Sequence, residues 1–144
     1  MPTMRFNHME LTLAPGTLGP LRSEIGRFYR DVFGWQPLDV EVVGQNALLL
    51  RVDERVDSFV LVAESPRPMQ SPGYDHLGVL LETRAEVDAM LALCRDERER
   101  DPRVEIKEYQ DLVLPDRTVH AFYVKYLLPI FFDVQCMEYR RSDT

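Results

Sequence analysis

An α+β fold built from two βαβββ modules is what this 144-residue sequence predicts. Three observations carry that prediction. Two segments have helical periodicity with matching end signals, and eight short segments have strand character. The order strand, helix, three strands then occurs twice, once on each side of a Pro-rich stretch.

The elements follow in chain order. A strand over 5–13 opens the first module. A helix comes next, because Leu21, Ile25, Phe28, Tyr29, Val32 and Phe33 recur on one stripe. Gly19 and Pro20 suit its entry, with Pro20 at the first helical position, and Gly34 suits its exit. Strands over 38–43, 47–52 and 58–63 complete module one, residues 4–64. A linker over 65–73 contains Pro66, Pro68 and Pro72. Module two, residues 74–140, begins with a strand over 75–82. Thr83 and Glu86 then have the spacing of a capping box, in which each side chain satisfies a free amide at a helix start. Val87, Met90, Leu91 and Cys94 form the stripe of this second helix. The mixed-sign run 95–101 reads as a solvated helix end passing into a loop, closed by Pro102. Strands over 103–109, 118–126 and 130–138 finish the module. The whole reads as one domain, 1–144, because a single βαβββ unit leaves a sheet face that needs covering.

Composition bounds the function. A 45% apolar and 28% charged chain is ordinary for a globular domain. No run of about 18 apolar residues exists, which argues against a membrane span. The segment 1–10 carries no secretory pattern, so the expected location is cytoplasmic. A net charge of −7 argues against a nucleic-acid partner, since phosphate contacts need clustered Lys and Arg. Cys94 and Cys136 lack CxxC spacing and read as buried free thiols. No phosphate-cradling Gly motif, GxSxG or HExxH string is present.

Three segments carry a family resemblance: Asn7-His8-Met9-Glu10-Leu11, the helix end from Arg27 to Trp35, and Asp75-His76-Leu77-Gly78-Val79. With the element order, they make the chain similar to the vicinal oxygen chelate superfamily. That superfamily contains glyoxalase I, extradiol dioxygenases, fosfomycin resistance enzymes and bleomycin resistance proteins. The resemblance implies a cup-shaped mixed sheet with helices on its outer face. It also implies metal ligands on first and last strands of the modules, and a homodimer. A fold of this kind hosts many chemistries, so activity must be argued from the site.

Strand parity tests the resemblance independently. Met9, Leu11 and Leu13 share one face of the first strand, and His8, Glu10 and Thr12 the other. Leu77, Val79 and Leu81 oppose His76, Gly78 and Leu80. In the last strand Ile130, Phe132, Val134 and Cys136 oppose Phe131, Asp133, Gln135 and Met137. With the apolar faces under the helices, His8, His76, Asp133 and Gln135 fall on the concave side.

An open catalytic metal site commonly uses two His and one carboxylate. His8 and His76 match the family's first-strand ligand positions. Its last-strand ligand is a Glu six residues after a turn Pro, and here Pro129 plus six is Gln135. A neutral amide holds a divalent cation (Fe, Mn, Ni or Zn) less tightly, and Asp133 is placed to supply the missing charge. Residues 60–63 offer no ligand, which disfavours a four-ligand glyoxalase-type centre. Glu10, inward and mid-strand, is a candidate catalytic group. His120 and Tyr123, in a loose echo of the extradiol dioxygenases, are two more. Phe131, Tyr126, Met137 and Asp133 are the candidate ligand-binding residues. Two functions stand open at this stage. One is a metal-dependent dioxygenase- or lyase-like enzyme acting on a small molecule. The other is a metal-free protein of the bleomycin-resistance type that sequesters a small, cationic compound.

Overall fold

The computed structural model describes residues 1–55 and 57–141, so the expected domain range 1–144 runs past the described residues at its C-terminal end. The chain separates into two compact units, one ending at Gln70 and the next beginning at Ser71, within the Pro-rich stretch. Both have the order strand, helix, strands.

The first unit contains β1 (His8–Leu13), α1 (Leu18–Phe33), β2 (Gln36–Val42), β3 (Gln45–Arg51) and β4 (Phe59–Glu64). Its sheet has the order β1-β4-β3-β2, parallel between β1 and β4 and antiparallel elsewhere. The centre of the helix stripe is buried, with Ile25, Phe28 and Tyr29 fully enclosed, while Leu21 and Phe33 are half-buried. Each such side chain contributes about 1.5–3 kcal/mol of hydrophobic stabilisation. On the sheet, Leu11, Leu48, Leu50, Val60 and Val62 supply the buried side chains of the face beneath α1. The opposite face is also apolar: Ala47, Leu49, Leu61 and Ala63 form a buried cluster flanked by Leu38, Val40, Val42 and Phe59.

Both ends of α1 have a physical account. The helix starts at Leu18, two residues ahead of the expected Pro20. Pro20 is tolerated because the first four helical amides have no intrahelical acceptor. Thr17 makes no side-chain cap; instead the Glu64 carboxylate accepts from the Leu18 amide at 3.1 Å. At the other end Gly34, at φ 72°, donates to Arg30 and lets Trp35 donate to Tyr29, both at 3.0 Å. The Gly34-to-Arg30 bond is the αL closure, and it needs a residue free to adopt positive φ.

The second unit contains β5 (His76–Leu80), α2 (Arg84–Arg100), β6 (Glu105–Glu108), β7 (Leu112–Val113), β8 (Arg117–Lys125) and β9 (Phe131–Tyr139). Its sheet runs β5-β9-β8-β6, with β7 paired to β8, and β5 is parallel to β9. The capping box of α2 is present in full: Thr83 Oγ1 accepts from the Glu86 amide, and the Glu86 carboxylate accepts from the Thr83 amide. Two expectations are corrected. Strand β7 has no counterpart in the sequence reading, since two exposed residues carry no periodicity. Residues 95–100 form the helix end as expected, but it is not solvated throughout: Glu97 is buried, with Arg100 3.5 Å from its carboxylate. Cys94 and Cys136 are both free and buried. Among the described residues no helix is long and apolar enough to cross a membrane.

Candidate functional site

Register decides which side chains share the open face of the second sheet. Phe122, Val124, Phe132, Val134 and Cys136 are buried on the side carrying α2. The alternate residues lie on the other side. There β5 contributes His76 and Gly78, β9 contributes Phe131, Asp133, Gln135 and Met137, and β8 contributes Ala121, Tyr123 and Lys125. His76 pairs with Phe131 in register, Gly78 with Asp133, and Tyr123 with Asp133 from the other flank. The expected grouping of His76, Asp133 and Gln135 is therefore found within one unit. His8 and Glu10 lie in the first unit, on the face of β1 that also carries Thr12, and both are exposed. His8 stacks on Phe59 with ring centroids 4.7 Å apart and has the Asn7 side-chain oxygen beside its Nδ1.

The polar centre is small and specific. His76 Nδ1 lies 2.9 Å from the backbone oxygen of Tyr74. A carbonyl oxygen only accepts, so Nδ1 carries a proton, and in the neutral ring Nε2 presents a lone pair. That lone pair faces Asp133 Oδ2 at 3.7 Å. Gln135 Nε2 donates to the same carboxylate oxygen at 2.9 Å, which leaves the Gln135 amide oxygen for another partner. Asp133 is 7% exposed, and its Oδ1 is buried without a hydrogen bond. Burial pushes the Asp133 carboxyl above its ordinary value, against the downward pulls of His76 and the Gln135 hydrogen bond. Gly78 keeps the face opposite Asp133 clear; a Cβ there would come within 3.7 Å of the Gln135 amide nitrogen.

An aromatic group adjoins this centre. Tyr123 has its ring centroid 4.6 Å from that of His76 and 4.7 Å from that of Tyr109. Tyr74 lies 5.2 Å from Phe131. Burial, then the Asp133 and Tyr109 charges, push the Tyr123 hydroxyl upward, so it is a proton-bearing donor at neutral pH. Met137 continues the face, with the Tyr139 hydroxyl 3.5 Å from its sulfur. The sequence reading missed Tyr74 and Tyr109, which precede β5 and follow β6, as well as Lys107 and Lys125.

Two expected site residues fall elsewhere. His120 lies on the α2 side of β8, opposite Cys136 in register. Its Nε2 is 2.6 Å from Asp88, and its Nδ1 is 2.8 Å from both Asp111 and Arg84. Arg84 in turn binds Asp111 and Glu138, each at 2.6 Å. Tyr126 is 1% exposed and donates to Asp101 at 2.7 Å near the end of α2. Neither side chain reaches the open face, so the expected catalytic role of His120 and ligand contact of Tyr126 find no support in the geometry. For His120 the reason is parity, since it stands three residues from Tyr123 and an odd separation on a strand changes face; Tyr126 lies past the end of β8.

The donor chemistry can be weighed directly. Among the described residues no group of three or more His, Cys, Asp and Glu is placed to hold a metal. Adding the amide oxygen of Gln135 to His76 Nε2 and the Asp133 carboxylate gives one imidazole, one charged and one neutral oxygen donor. An orphaned buried carboxylate oxygen and a free imidazole lone pair facing its partner oxygen fit a cation between them.

A family model described as Glyoxalase/Bleomycin resistance protein/Dioxygenase superfamily matches residues 24–107. No curated protein matches the sequence. Among solved structures, the fosfomycin resistance protein FosX from Listeria monocytogenes is similar with a TM-score of 0.62 at 14% identity, covering 92% of this chain and 91% of that one. A second FosX structure, complexed with Mn(II) and sulfate, has a TM-score of 0.59 at 15% identity over 94% and 91%. An integron cassette protein from V. cholerae has a TM-score of 0.60 at 15% identity over 94% and 97%. At such identities the likeness concerns the fold.

Proposed function

Since the chain belongs to the Glyoxalase/Bleomycin resistance protein/Dioxygenase superfamily, we propose that it is a small-molecule enzyme using a divalent cation held by His76, Asp133 and Gln135. One observation carries this reading: the His76 lone pair faces a buried carboxylate whose other oxygen has no partner. Manganese, iron, nickel and zinc all suit mixed nitrogen and oxygen donors, and the Mn(II) complex of FosX supports the first. When bound, such a cation supplies Lewis acidity toward adjacent oxygens of a substrate.

The chain's own residues have separable roles. The Tyr74 carbonyl fixes the His76 tautomer and ring plane, as outer-shell acceptors do for ligating imidazoles. Gln135 steadies the Asp133 carboxylate through its amide nitrogen. Tyr123, its proton retained, is the donor positioned beside His76 to hand a hydrogen bond to a substrate oxygen. Phe131 and Tyr123 give a flat apolar wall for orientation. His8 and Glu10 enter on their sequence positions, each tested by its own alanine variant. Metal content of untagged protein tests the reading, with loss of the metal in His76→Ala expected. No stoichiometric metal would reject it.

The second reading is a metal-free binding protein, favoured by the aromatic group around Tyr123. The Lys107 and Lys125 ammoniums over those rings argue against the cationic ligand expected from net charge. Ligand binding that survives both chelation and His76→Ala would select this reading. In either case a homodimer is proposed, and a sedimentation mass near the 16.8 kDa of one chain would reject it.

A further inference from the structure

Of the 17 lysines and arginines in the chain only Lys107 and Lys125 are lysine, and both stand on the open face of the second sheet. Lys107 pairs in register with Tyr123, which pairs with Asp133; Lys125 pairs with Glu105 and reaches over Phe131, which pairs with His76. Each lysine is therefore two strands from the polar centre, about 10 Å at ordinary strand spacing. The Lys107 ammonium lies 5.3 Å from the Tyr74 ring centroid and 5.7 Å from that of Tyr109. Lys125 lies 5.3 Å over Phe131. Neither forms an ion pair among the described residues, whereas Arg84, Arg95, Arg100, Arg103 and Arg117 of the same unit all do.

We propose that Lys107 and Lys125 form an anion subsite, and that the substrate is a flat compound carrying a carboxylate or comparable anionic oxygen group. The proposal rests on the reading that this face binds the small molecule. Two features support it. A protein of net charge −7 keeps two ammoniums on the face that also bears the His76–Asp133 pair, neither within ion-pair distance of a carboxylate among the described residues although Glu105 is the register partner of Lys125. Arginine is the commoner and better ring-stacking cation, so covering the rings alone does not account for lysine at both places. A compact ammonium, by contrast, suits a point contact with an anionic oxygen, and the neighbouring ring faces suit a planar body.

The test uses the full chain and three probes of one shape: benzoate, benzyl alcohol and benzylamine. Affinities are measured by calorimetry in wild type and in the Lys107→Gln/Lys125→Gln variant, each with chelator and with Mn(II), with metal content read on the same samples. The expected order is benzoate, benzyl alcohol, benzylamine, with benzoate favoured by about tenfold, the scale of one charge-assisted contact. In the double variant that preference falls to about twofold or less while benzyl alcohol binding is unchanged. Absence of saturable benzoate binding, or a benzoate preference retained without the lysines, would overturn the proposal. So would a drop in sedimentation mass of the variant at unchanged benzoate affinity, which would assign the lysines to contact between copies. The metal reading fails separately, on metal content alone.

Discussion

Replacing Asp133 with asparagine isolates the electrostatic strain at the centre of the second unit. The carboxylate is 7% exposed, receives one hydrogen bond at 2.9 Å from Gln135, and has an unpartnered buried oxygen. An unsatisfied buried polar atom costs about 1–3 kcal/mol. Asparagine, with its amide oxygen at the Oδ2 position, keeps the acceptor for Gln135 and removes the buried charge that His76, 3.7 Å away, only partly balances. Part of the cost is already offset in the wild type by His76. A gain of about 1–2 kcal/mol is therefore expected for metal-free Asp133→Asn at pH 7–8, or roughly 3–6 °C in Tm. The sign follows from linkage. A carboxyl raised in the folded state favours the folded protein while protonated, and that advantage is lost as pH rises through its folded value. The gain should therefore shrink as pH falls and vanish once Asp133 is protonated. Thermal melts of chelator-treated protein across pH 4–8 measure it. A variant less stable than wild type at pH 7.5 would refute the reasoning, because it would mean the carboxylate is satisfied without a cation.

Other outcomes follow from neighbouring features. Burial lowers the His120 imidazole, but hydrogen bonds to Asp88 and Asp111 raise it further, so it is net raised. Its contribution is complete below its ordinary value near 6.5 and is lost as pH climbs through the folded value. The stability difference between wild type and His120→Gln should accordingly be largest at pH 5–6, and a difference that grows toward pH 8 would be contrary. Thr83→Ala removes half of a reciprocal cap and should cost about 1 kcal/mol in chemical denaturation, partly restored by Thr83→Ser. Burial, then Glu97, push the Cys94 thiol up to about 12, so native protein at pH 8 should leave it unmodified by iodoacetamide while unfolded protein reacts. Modification as fast as in a free thiol would show that the α2 packing described above does not form.

Much of this architecture was legible in the residues. The stripe from Leu21 to Phe33 and the pair Thr83 and Glu86 mark helices through local rules, which the surrounding chain did not override. Parity of β5 and β9 grouped His76, Asp133 and Gln135 because both strands have one uniformly apolar face. The same rule, applied to β8, puts His120 on the opposite face from Tyr123, while Tyr126 lies past the end of that strand, where no periodicity locates it. The remaining members were out of reach. Tyr74 and Tyr109 lie just outside their strands, and Lys107 reaches the face only through its register with Tyr123, which no local pattern encodes.

The claim that His76, Asp133 and Gln135 hold a divalent cation is tested most directly by elemental analysis of untagged protein, combined with Mn(II) titration of the chelated form. The account predicts one metal per chain, loss in His76→Ala, and weakening in Gln135→Ala. A chain that purifies without metal and binds no Mn(II) saturably, with His76→Ala indistinguishable from wild type, would contradict it.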